Sequence, residues 1–513
     1  MNIYVEQKRQ GSCMNYTNPI LRGFHPDPSI CRVGNDYYLV VSSFEYFPGI
    51  PVYHSTDLVN WTQIGNCVTH ADEFHLEKVG DSGGIWAPTI RRNDGVFYVT
   101  ATLDGYGNFI ITAEDPSGPW SSPVWVREVG GIDPSLYFED GHAYYCTNES
   151  LNGGDGISLE EIDPKTGKVI GSRYTLWSGI GARFTEAPHL YKIGDWYYLM
   201  AAEGGTFFNH MENIARSRNL LGPYESCPDN PILTNMCDPS WQVQCSGHAD
   251  LFEDAQGNWW AVHLGIRLSR RTMTHLGRET FLTPVTWKDG WPMCGHMRHT
   301  VLNETGPLSA NQKPLPVFQA DLSRTDWEPE WIFLRKPDMS KFLRREGEIL
   351  LYPSADTLKD KLPTYAAVRP LDFECEVECS FDYDAHRQGS EAGLAIRLDM
   401  NFHIVCTVGT HKNGRFLHII LQAEDIRHEV ANIPIPAGTV TLLLTADKLK
   451  YMFSYSIDES EPAAIGQVST RFVATELSGR CFTGTVMGLY TASQDEPDTP
   501  MIVRSFTMRP TNQ

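Results

Sequence analysis

Apolar and polar positions alternate along this chain in short runs, and the 3.6-residue periodicity of helices is nearly absent. The runs are rich in Val, Ile, Tyr, Phe and Trp, and they are separated by Gly, Asp and Asn. Runs of this composition, bounded by turn residues, are typical of β-strands. The pattern therefore predicts an all-β protein.

One unit of this pattern recurs five times. Each copy has a turn, paired aromatic residues and an apolar strand, and the copies are spaced by roughly 45–65 residues, as are four-stranded propeller blades. Five copies predict a five-bladed β-propeller. The copies are Asn35–Ser43, Gly95–Leu103, His142–Ser150, Asp195–Glu203 and Asn258–Gly265.

A second signature precedes each copy and reads HPDPSI, IWAPTI, IDPSLY, TEAPHL and SGHADL in chain order. Equivalent positions of successive blades surround one axis at one end of a propeller. A single Asp-Pro-Ser indicates only a turn, but five signatures in equivalent places predict that their distinctive residues share one funnel. Those residues are Asp27, Trp86, Asp133, Glu186 and His248.

The chain changes character after the fifth copy. The stretch ETGPLSANQKPLPVF, residues 304–318, is rich in Pro and polar residues and indicates a linker. Beyond it, segments such as FECEVECSFDY alternate apolar and polar residues, which favours a β-sandwich. We predict a propeller over residues 14–303, a linker over 304–326 and an accessory sandwich of jelly-roll, concanavalin-like type over 327–513.

Charge and cysteine usage narrow the class of partner. The net charge of −21 argues against nucleic acid and anionic membranes, and it is compatible with a neutral sugar. The twelve cysteines are scattered, and Cys375 and Cys379 fall on one face of a predicted strand as core residues. The polar start MNIYVEQKRQ predicts no secretory signal. We therefore expect free thiols and a cytoplasmic location.

The three carboxylates of the funnel suit glycoside hydrolysis. That reaction commonly uses one protonated carboxyl group to donate to the leaving oxygen and one ionised carboxylate to activate water or to attack the sugar. A third negative charge nearby raises the pKa of the acid, because like charges disfavour ionisation. Spacing alone leaves the role of each carboxylate open.

The chain resembles glycoside hydrolase family 43, including the β-xylosidase-type C-terminal sandwich. The motifs that carry the resemblance are NPILRGFHPDPSI, SSFEYFPGIPVYHSTDLVNW, GGIWAPTIR, IDPSLYFEDG, TEAPHLYK and LGRETF. The resemblance implies an inverting, exo-acting enzyme in which Asp27 is the general base and Glu186 the general acid. It further implies that Asp133 tunes and orients the acid, and that a water lies between Asp27 and the anomeric carbon.

Further residues match sugar contacts of the family. By resemblance, Trp86 forms the wall of the −1 pocket, Phe44 flanks the +1 side, and Thr206 lines the pocket. Arg278 in LGRET would hydrogen-bond sugar hydroxyls, with a structural ion pair as its alternative role. Phe482 in CFTGTVMGLY resembles a segment through which the sandwich reaches into the funnel and blocks long chains.

The sequence determines the cofactor and the substrate less fully than it determines the reaction type. His248 resembles a residue on the propeller axis that touches a cation or water, so Ca²⁺ near the axis stays open although no cofactor is required. Residues 147–163, TNESLNGGDGISLEEID, contain no Trp where xylosidase relatives have an aromatic platform, and the sequence after His210 is also altered. Both changes fall on regions that select the aglycone.

We expect release of terminal β-D-xylose from xylo-oligosaccharides. The alternatives are an α-L-arabinofuranosidase, or a bifunctional enzyme, on arabinoxylan or arabinan fragments; a non-catalytic sugar-binding propeller; and a phosphorolytic enzyme. A phosphorolytic enzyme would need a basic phosphate cradle, which this sequence lacks. A sugar-binding protein would not need a costly cluster of like charges. Assembly into a homo-oligomer stays open.

Overall fold

The computed structural model describes residues 13–149, 156–384, 387–411, 414–479, 482–494 and 499–511. Helix in these ranges is limited to four short 3₁₀ segments, Ala71–Glu73, Leu76–Lys78, Met339–Lys341 and Thr470–Val473. No helix in the described ranges has the length and apolar character needed to span a membrane. The remaining regular structure is strand, which confirms the all-β prediction.

The first half of the chain folds into five antiparallel sheets, the blades, each with its main strands in chain order. Every sequence copy supplies the second strand of its blade, so the five-bladed propeller is confirmed. Blade 1 is Ser29–Val33, Asp36–Val40, Gly49–Ser55 and Thr62–Val68; blade 2 is Ile85–Asn93, Val96–Leu103, Gly107–Ala113 and Val124–Val126; blade 3 is Ser135–Glu139, His142–Thr147, Ile157–Asp163 and Lys168–Trp177; blade 4 is Glu186–Ile193, Trp196–Glu203, Met211–Ser217 and Glu225–Ser226, with Leu233–Thr234 added; blade 5 is Val243–Glu253, Trp259–Arg267, Glu279–Lys288 and Trp291–Cys294.

The start of the chain closes the ring against blade 5. The strand Met14–Thr17 pairs antiparallel with Asn303–Gly306. Asn18 follows, and its side chain both donates to the carbonyl of Leu282 and accepts from the amide of Leu282, at 2.8 and 2.9 Å. These bonds tie the segment before blade 1 to a strand of the last blade, which fixes the position of the first signature.

The second half forms two packed eight-stranded sheets with a common apolar core. Cys375 and Cys379 lie in this core, as expected. One sheet runs Phe342–Arg345, Glu348–Leu351, Met501–Pro510, Cys375–Asp382, Val440–Ala446, Lys450–Ile457 and Ala463–Ser469, with Phe318–Gln319 paired to Met501–Pro510; the other runs Ile426–Pro434, Gly414–Ala423, Phe402–His411, Glu391–Arg397, Val486–Ala492, Thr364–Val368, Ile332–Leu334 and Tyr46–Phe47.

The last of these strands belongs to the propeller segment of blade 1. Phe47 pairs with Phe333 of the sandwich, so one sheet crosses the domain boundary. Beside it, the guanidinium groups of Arg335 and Arg397, both fully buried, bond to the Asp81 carboxylate at 2.9 and 2.5 Å. Residues 307–317 connect the two halves without a regular strand. The sandwich is therefore joined to the propeller by backbone pairing and by buried charge.

Candidate active site

A cavity of about 270 Å³ lies at one end of the propeller. The five signature residues line it together with Phe44, Thr206, Arg278 and Phe482, so every residue selected from the sequence meets in one place. The cavity is completed by residues that the sequence did not single out. These are Ala87, Ile132, Phe184, Gly205 and Phe207.

The signatures converge because each contains one residue in the left-handed backbone region. That residue stands three positions before the Ile or Leu of the signature in all five blades, with φ between 41° and 55°. Positive φ is uncommon for residues other than Gly and clusters at functional sites. The left-handed residues are Asp27, Ala87, Asp133, Ala187 and His248.

Asp27 is held by three hydrogen bonds from two side chains. Its carboxylate accepts two bonds from the Arg278 guanidinium, at 2.6 and 3.3 Å, and one from the Ser42 hydroxyl at 2.6 Å. The Ser42 oxygen in turn accepts from the backbone N–H of Ala87 at 2.6 Å. Asp27 is 3% exposed. These bonds fix the carboxylate in one orientation, and they give Arg278 the structural ion pair that was its alternative role.

Asp133 and Glu186 form the second part of the acidic cluster. Asp133 is buried, whereas Glu186 is partly exposed. Burial raises the pKa of Asp133 well above its usual range, and the charges of Glu186 and then Asp27 raise it further, against a smaller effect of Arg278. The three carboxyl groups are therefore close enough to interact, and one of them retains a proton more readily than an isolated carboxyl group does.

Aromatic side chains from both domains form one wall of the cavity. The Phe482 ring of the sandwich stacks on Phe44, with centroids 6.0 Å apart, and meets Trp86 edge-on at 6.3 Å. The carbonyl of Phe482 also accepts from Arg278 at 3.0 Å. Phe44 is only 2% exposed, so it supports Phe482 from behind. The sandwich thus contributes directly to the pocket, as the sequence predicts for Phe482.

Two further phenylalanines stand at the mouth. Phe184 and Phe207 are 44% and 55% exposed although both line the cavity. Arg183 lies over the Phe184 ring, 4.9 Å from its centroid. An exposed aromatic ring beside a sugar-sized pocket offers an apolar face to the next unit of a substrate. Phe184 directly precedes the TEAPHLYK motif and Phe207 directly follows Thr206, so both stand beside positions selected from the sequence.

Glu203 orders the segment that leads to Glu186. Its buried carboxylate accepts from the backbone N–H groups of Ile180 and Ala182 at 2.9 and 3.0 Å, and from the Asn213 amide at 2.7 Å. A carboxylate that collects several donors fixes a loop that has no regular structure of its own. Glu203 is therefore a positioning residue, and its only sequence signal is a charge at the end of an otherwise apolar strand.

His248 lies under the carboxylates, with Nδ1 3.8 Å from an Asp27 oxygen. Burial lowers its pKa, which keeps the ring neutral at pH 7. Below it, Arg91 bonds to Asp250 at 2.8 Å and to His189 at 2.8 Å. In the described part of the chain, no cluster of three or more His, Cys, Asp or Glu is arranged to hold a metal. One imidazole and a carboxylate already engaged by Arg278 do not form the set of six to eight oxygens that Ca²⁺ takes.

Part of the region expected to select the aglycone lies outside the described residues, namely positions 150–155 of the stretch without Trp. The altered segment after His210 is described. The His210 ring is buried and contacts the Cys245 carbonyl at 3.0 Å. The His210 ring therefore contacts blade 5 and does not line the cavity.

A five-bladed propeller with three carboxylates, an arginine and an aromatic wall in one cavity is the arrangement expected of a glycosidase. Two family models match the chain: "Glycosyl hydrolases family 43" over residues 16–292, and "Beta xylosidase C-terminal Concanavalin A-like domain" over residues 320–509. The chain belongs to glycoside hydrolase family 43 and is an enzyme that hydrolyses glycosidic bonds.

Full-length relatives support this assignment. The chain is 40% identical to the non-reducing end alpha-L-arabinofuranosidase BoGH43B of Bacteroides ovatus, over 97% of this chain and 94% of that protein. It is 31% identical to a beta-xylosidase of Bacillus subtilis, over 87% and 90%. A solved structure described as Bacteroides ovatus xyloglucan PUL GH43B superposes with a TM-score of 0.92 at 38% identity, over 97% of this chain and 100% of that one.

Proposed function

We propose that the protein is an inverting, exo-acting hydrolase that removes one terminal pentose from short oligosaccharides. The observation that carries this proposal is the cavity in which Asp27, Asp133 and Glu186 meet. Its volume of about 270 Å³ is just below the usual range of small-molecule pockets, which suits a single sugar unit. We propose that the Phe482 wall limits the length of chain that enters the cavity.

In this proposal Asp27 is the general base. Arg278 and Ser42 hold its carboxylate so that it accepts a proton from a water, and the water oxygen bonds to the anomeric carbon. Glu186 gives its proton to the glycosidic oxygen as that bond breaks, so the product has the opposite anomeric configuration. Inversion requires the two carboxyl groups to be about 6.5–9.5 Å apart, with room for the water.

Asp133 acts through the acid. Its carboxyl group is coupled to Glu186 electrostatically, and the N–H of Ala187, the residue after Glu186, bonds to it. Asp133 and Glu186 are therefore able to share one proton, which suits a general acid. Asp133 is thus proposed as the residue that keeps Glu186 protonated and oriented.

Two terminal sugars are candidates. β-D-Xylose is the expectation from the sequence. α-L-Arabinofuranose is favoured by the 40% identity to an arabinofuranosidase, compared with 31% to a β-xylosidase, and by the missing aromatic platform for a second xylose. We propose arabinofuranose as the better substrate. The ratio of kcat/KM on nitrophenyl α-L-arabinofuranoside and β-D-xyloside decides it, and a ratio below one would reverse the preference.

The reaction itself is tested at the two carboxylates. Asp27→Asn and Glu186→Gln should each lower turnover of natural oligosaccharides by at least about 10²-fold, since each removes acid–base help. Proton NMR of the first product anomer tests inversion separately. Full activity in either folded variant would refute the assignment, and a retained anomer would refute inversion.

The remaining sequence expectations stay predictions. Because the donor set at His248 does not suit Ca²⁺, we propose that Arg91 and its partners stabilise the axis. Dialysis against a chelator should then change neither activity nor melting temperature, and loss of either would restore the metal hypothesis. The cytoplasmic location and assembly into a homo-oligomer are among these predictions.

A further inference from the structure

A second, larger cavity lies between the propeller and the sandwich. It has a volume of about 540 Å³, and it is separate from the central pocket. The connecting segment supplies one wall, through residues 312–318, and blade 1 supplies another, through residues 53–63. The sandwich contributes Arg369, which directly follows the strand Thr364–Val368.

Arg369 carries a buried charge that has no carboxylate partner within the described part of the chain. It is 7% exposed, and its Nε and Nη2 atoms are buried with no hydrogen-bond partner among the described residues. Its guanidinium packs over the Phe24 ring at 5.7 Å, and burial lowers its pKa. A buried charge is costly unless it is paired. Arg369 thus lines the cavity, and its Nε and Nη2 donors have no partner among the described residues.

The neighbours of Arg369 do not neutralise it. His25 Nδ1 lies 2.8 Å from the Arg22 carbonyl, so that nitrogen carries the proton, and Nε2 accepts from the Tyr53 hydroxyl at 2.7 Å. Burial lowers the pKa of His25 to about 3, so the ring is neutral. The nearby Arg22 is itself paired with Asp372 at 2.5 Å. The charge of Arg369 therefore faces the neutral His25 and Tyr53 side chains, and the carboxyl groups of the cavity lining are those of Asp57 and Glu330.

The position of Arg369 is rigid. Gly23 has φ +76°, and a Cβ there would lie 2.1 Å from the Pro370 carbonyl oxygen, so only glycine allows the propeller to approach this close. Phe24 then stands between Arg369 and the central pocket, 5.9 Å from Phe44. The Arg369 guanidinium is therefore a fixed cation in a preformed site. One aromatic layer separates this site from the catalytic funnel.

The rest of the lining is suited to a sugar. Glu330 offers a carboxyl group whose pKa is raised by burial, whereas the Gln63 amide is already bonded to Tyr53, Asn66 and Pro329. Trp61 and the prolines of the connecting segment supply apolar surface. A ligand with one carboxylate for the planar guanidinium fork and several hydroxyls for the other groups satisfies both requirements.

We propose that this cavity is a second carbohydrate site that binds an acidic sugar, with the carboxylate of a uronic acid unit paired to Arg369. The inference does not depend on the hydrolytic reaction, so its failure leaves the proposed function standing. Occupancy would place an acidic substituent of a polysaccharide at the domain boundary while the funnel acts on a neutral terminal sugar.

Calorimetric titration of the full chain at pH 7 with D-glucuronate, D-glucose and inorganic phosphate tests the site. We expect one glucuronate per chain, no binding of glucose at the same concentration, and weaker binding of phosphate. Arg369→Gln should lower glucuronate affinity at least tenfold, and Arg369→Lys should retain part of it. No glucuronate binding, or phosphate binding as tight as that of glucuronate, would overturn the acidic-sugar proposal.

A surface variant keeps the test valid if Arg369→Gln does not fold. Val317 is 52% exposed on the connecting wall, so Val317→Asp should fold normally. It places a negative charge at the mouth and should weaken glucuronate binding several-fold, while hydrolysis of aryl pentosides stays unchanged. The second site is refuted if glucuronate competes with the aryl pentoside and its binding affinity is unaffected by Val317→Asp. Glucuronate would then bind in the central pocket.

Discussion

Ser42 offers a sharp test of how the base is held. Its hydroxyl donates to Asp27 and accepts from the Ala87 amide, each at 2.6 Å, and the residue is fully buried. Ser42→Ala removes a hydrogen bond to a charged group, at about 1.5–3 kcal/mol, and leaves a buried amide unsatisfied, at about 1–3 kcal/mol. Allowing for relaxation, we expect the free energy of unfolding to fall by about 2–4 kcal/mol.

The catalytic effect should be smaller, because Arg278 still holds the carboxylate by two bonds. If about 1.4–2.8 kcal/mol of the lost hydrogen-bond free energy also destabilises the transition state, kcat falls about 10–100-fold. The loss should be equal for good and poor leaving groups, since the base acts on water.

Ser43→Ala is the matched control for this prediction. Ser43 is the next residue and is equally buried, but its hydroxyl has no hydrogen-bond partner among the described residues. We expect kcat and the melting temperature of this variant to stay near those of the parent enzyme. Steady-state kinetics on two aryl glycosides and a denaturant titration measure both effects. Equal losses in the two variants, or unchanged kcat in Ser42→Ala, would refute the positioning role.

Three further predictions follow from the buried charges and the rim. Asp133→Asn should move the alkaline limb of the kcat/KM profile acidward and harm poor leaving groups most, because Glu186 then loses its proton at lower pH; an unmoved limb would leave Asp133 only an orienting role. Burial raises the pKa of Glu45 to about 7, so the folded protein holds a proton on Glu45 that the unfolded chain releases above about pH 4.5. The free energy of unfolding should therefore fall by up to about 3 kcal/mol as pH rises from about 4.5 through 7. Glu45→Gln should flatten this pH dependence in melting curves at pH 5 and pH 8, and an unchanged slope would contradict it. Phe207→Ala should raise KM for oligosaccharides several-fold and leave that of nitrophenyl glycosides nearly unchanged, which parallel kinetics on both substrates would reveal.

The repeat pattern predicted most of the fold because each blade is a local unit. Its second strand follows a turn, and its aromatic pair packs on the neighbouring blade, so both features are visible within about ten residues of sequence. The strand pairing of Phe47 with Phe333 was not predictable in this way. No local pattern marks two propeller residues as the edge of a distant sheet.

The site was predictable to the extent that its residues occupy repeated positions. Asp27 and Asp133 stand at the left-handed position itself, whereas Trp86 and Glu186 stand one residue before it. The sequence shows this offset, because the distinctive residues stand either three or four positions before the Ile or Leu of their signatures, but it does not show that Ala87 and Ala187 have the left-handed conformation. Phe184 and Phe207 line the cavity from segments outside the repeated signatures, and Ser42 contacts Asp27 from the end of the first sequence copy, so their roles become visible only in the folded chain.

The cross-domain strand has a consequence for how the enzyme is made. Tyr46 and Phe47 leave the ribosome about 290 residues before their partner strand, which at about 5–20 residues per second is a delay of roughly 15–60 s. Throughout that interval Phe44 lacks Phe482, and Asp81 lacks both of its arginines. A nascent propeller therefore has its carboxylates before it has a finished pocket, and catalytic competence arrives only with the last domain. Deleting the sandwich should for the same reason yield an incomplete enzyme rather than a less selective one.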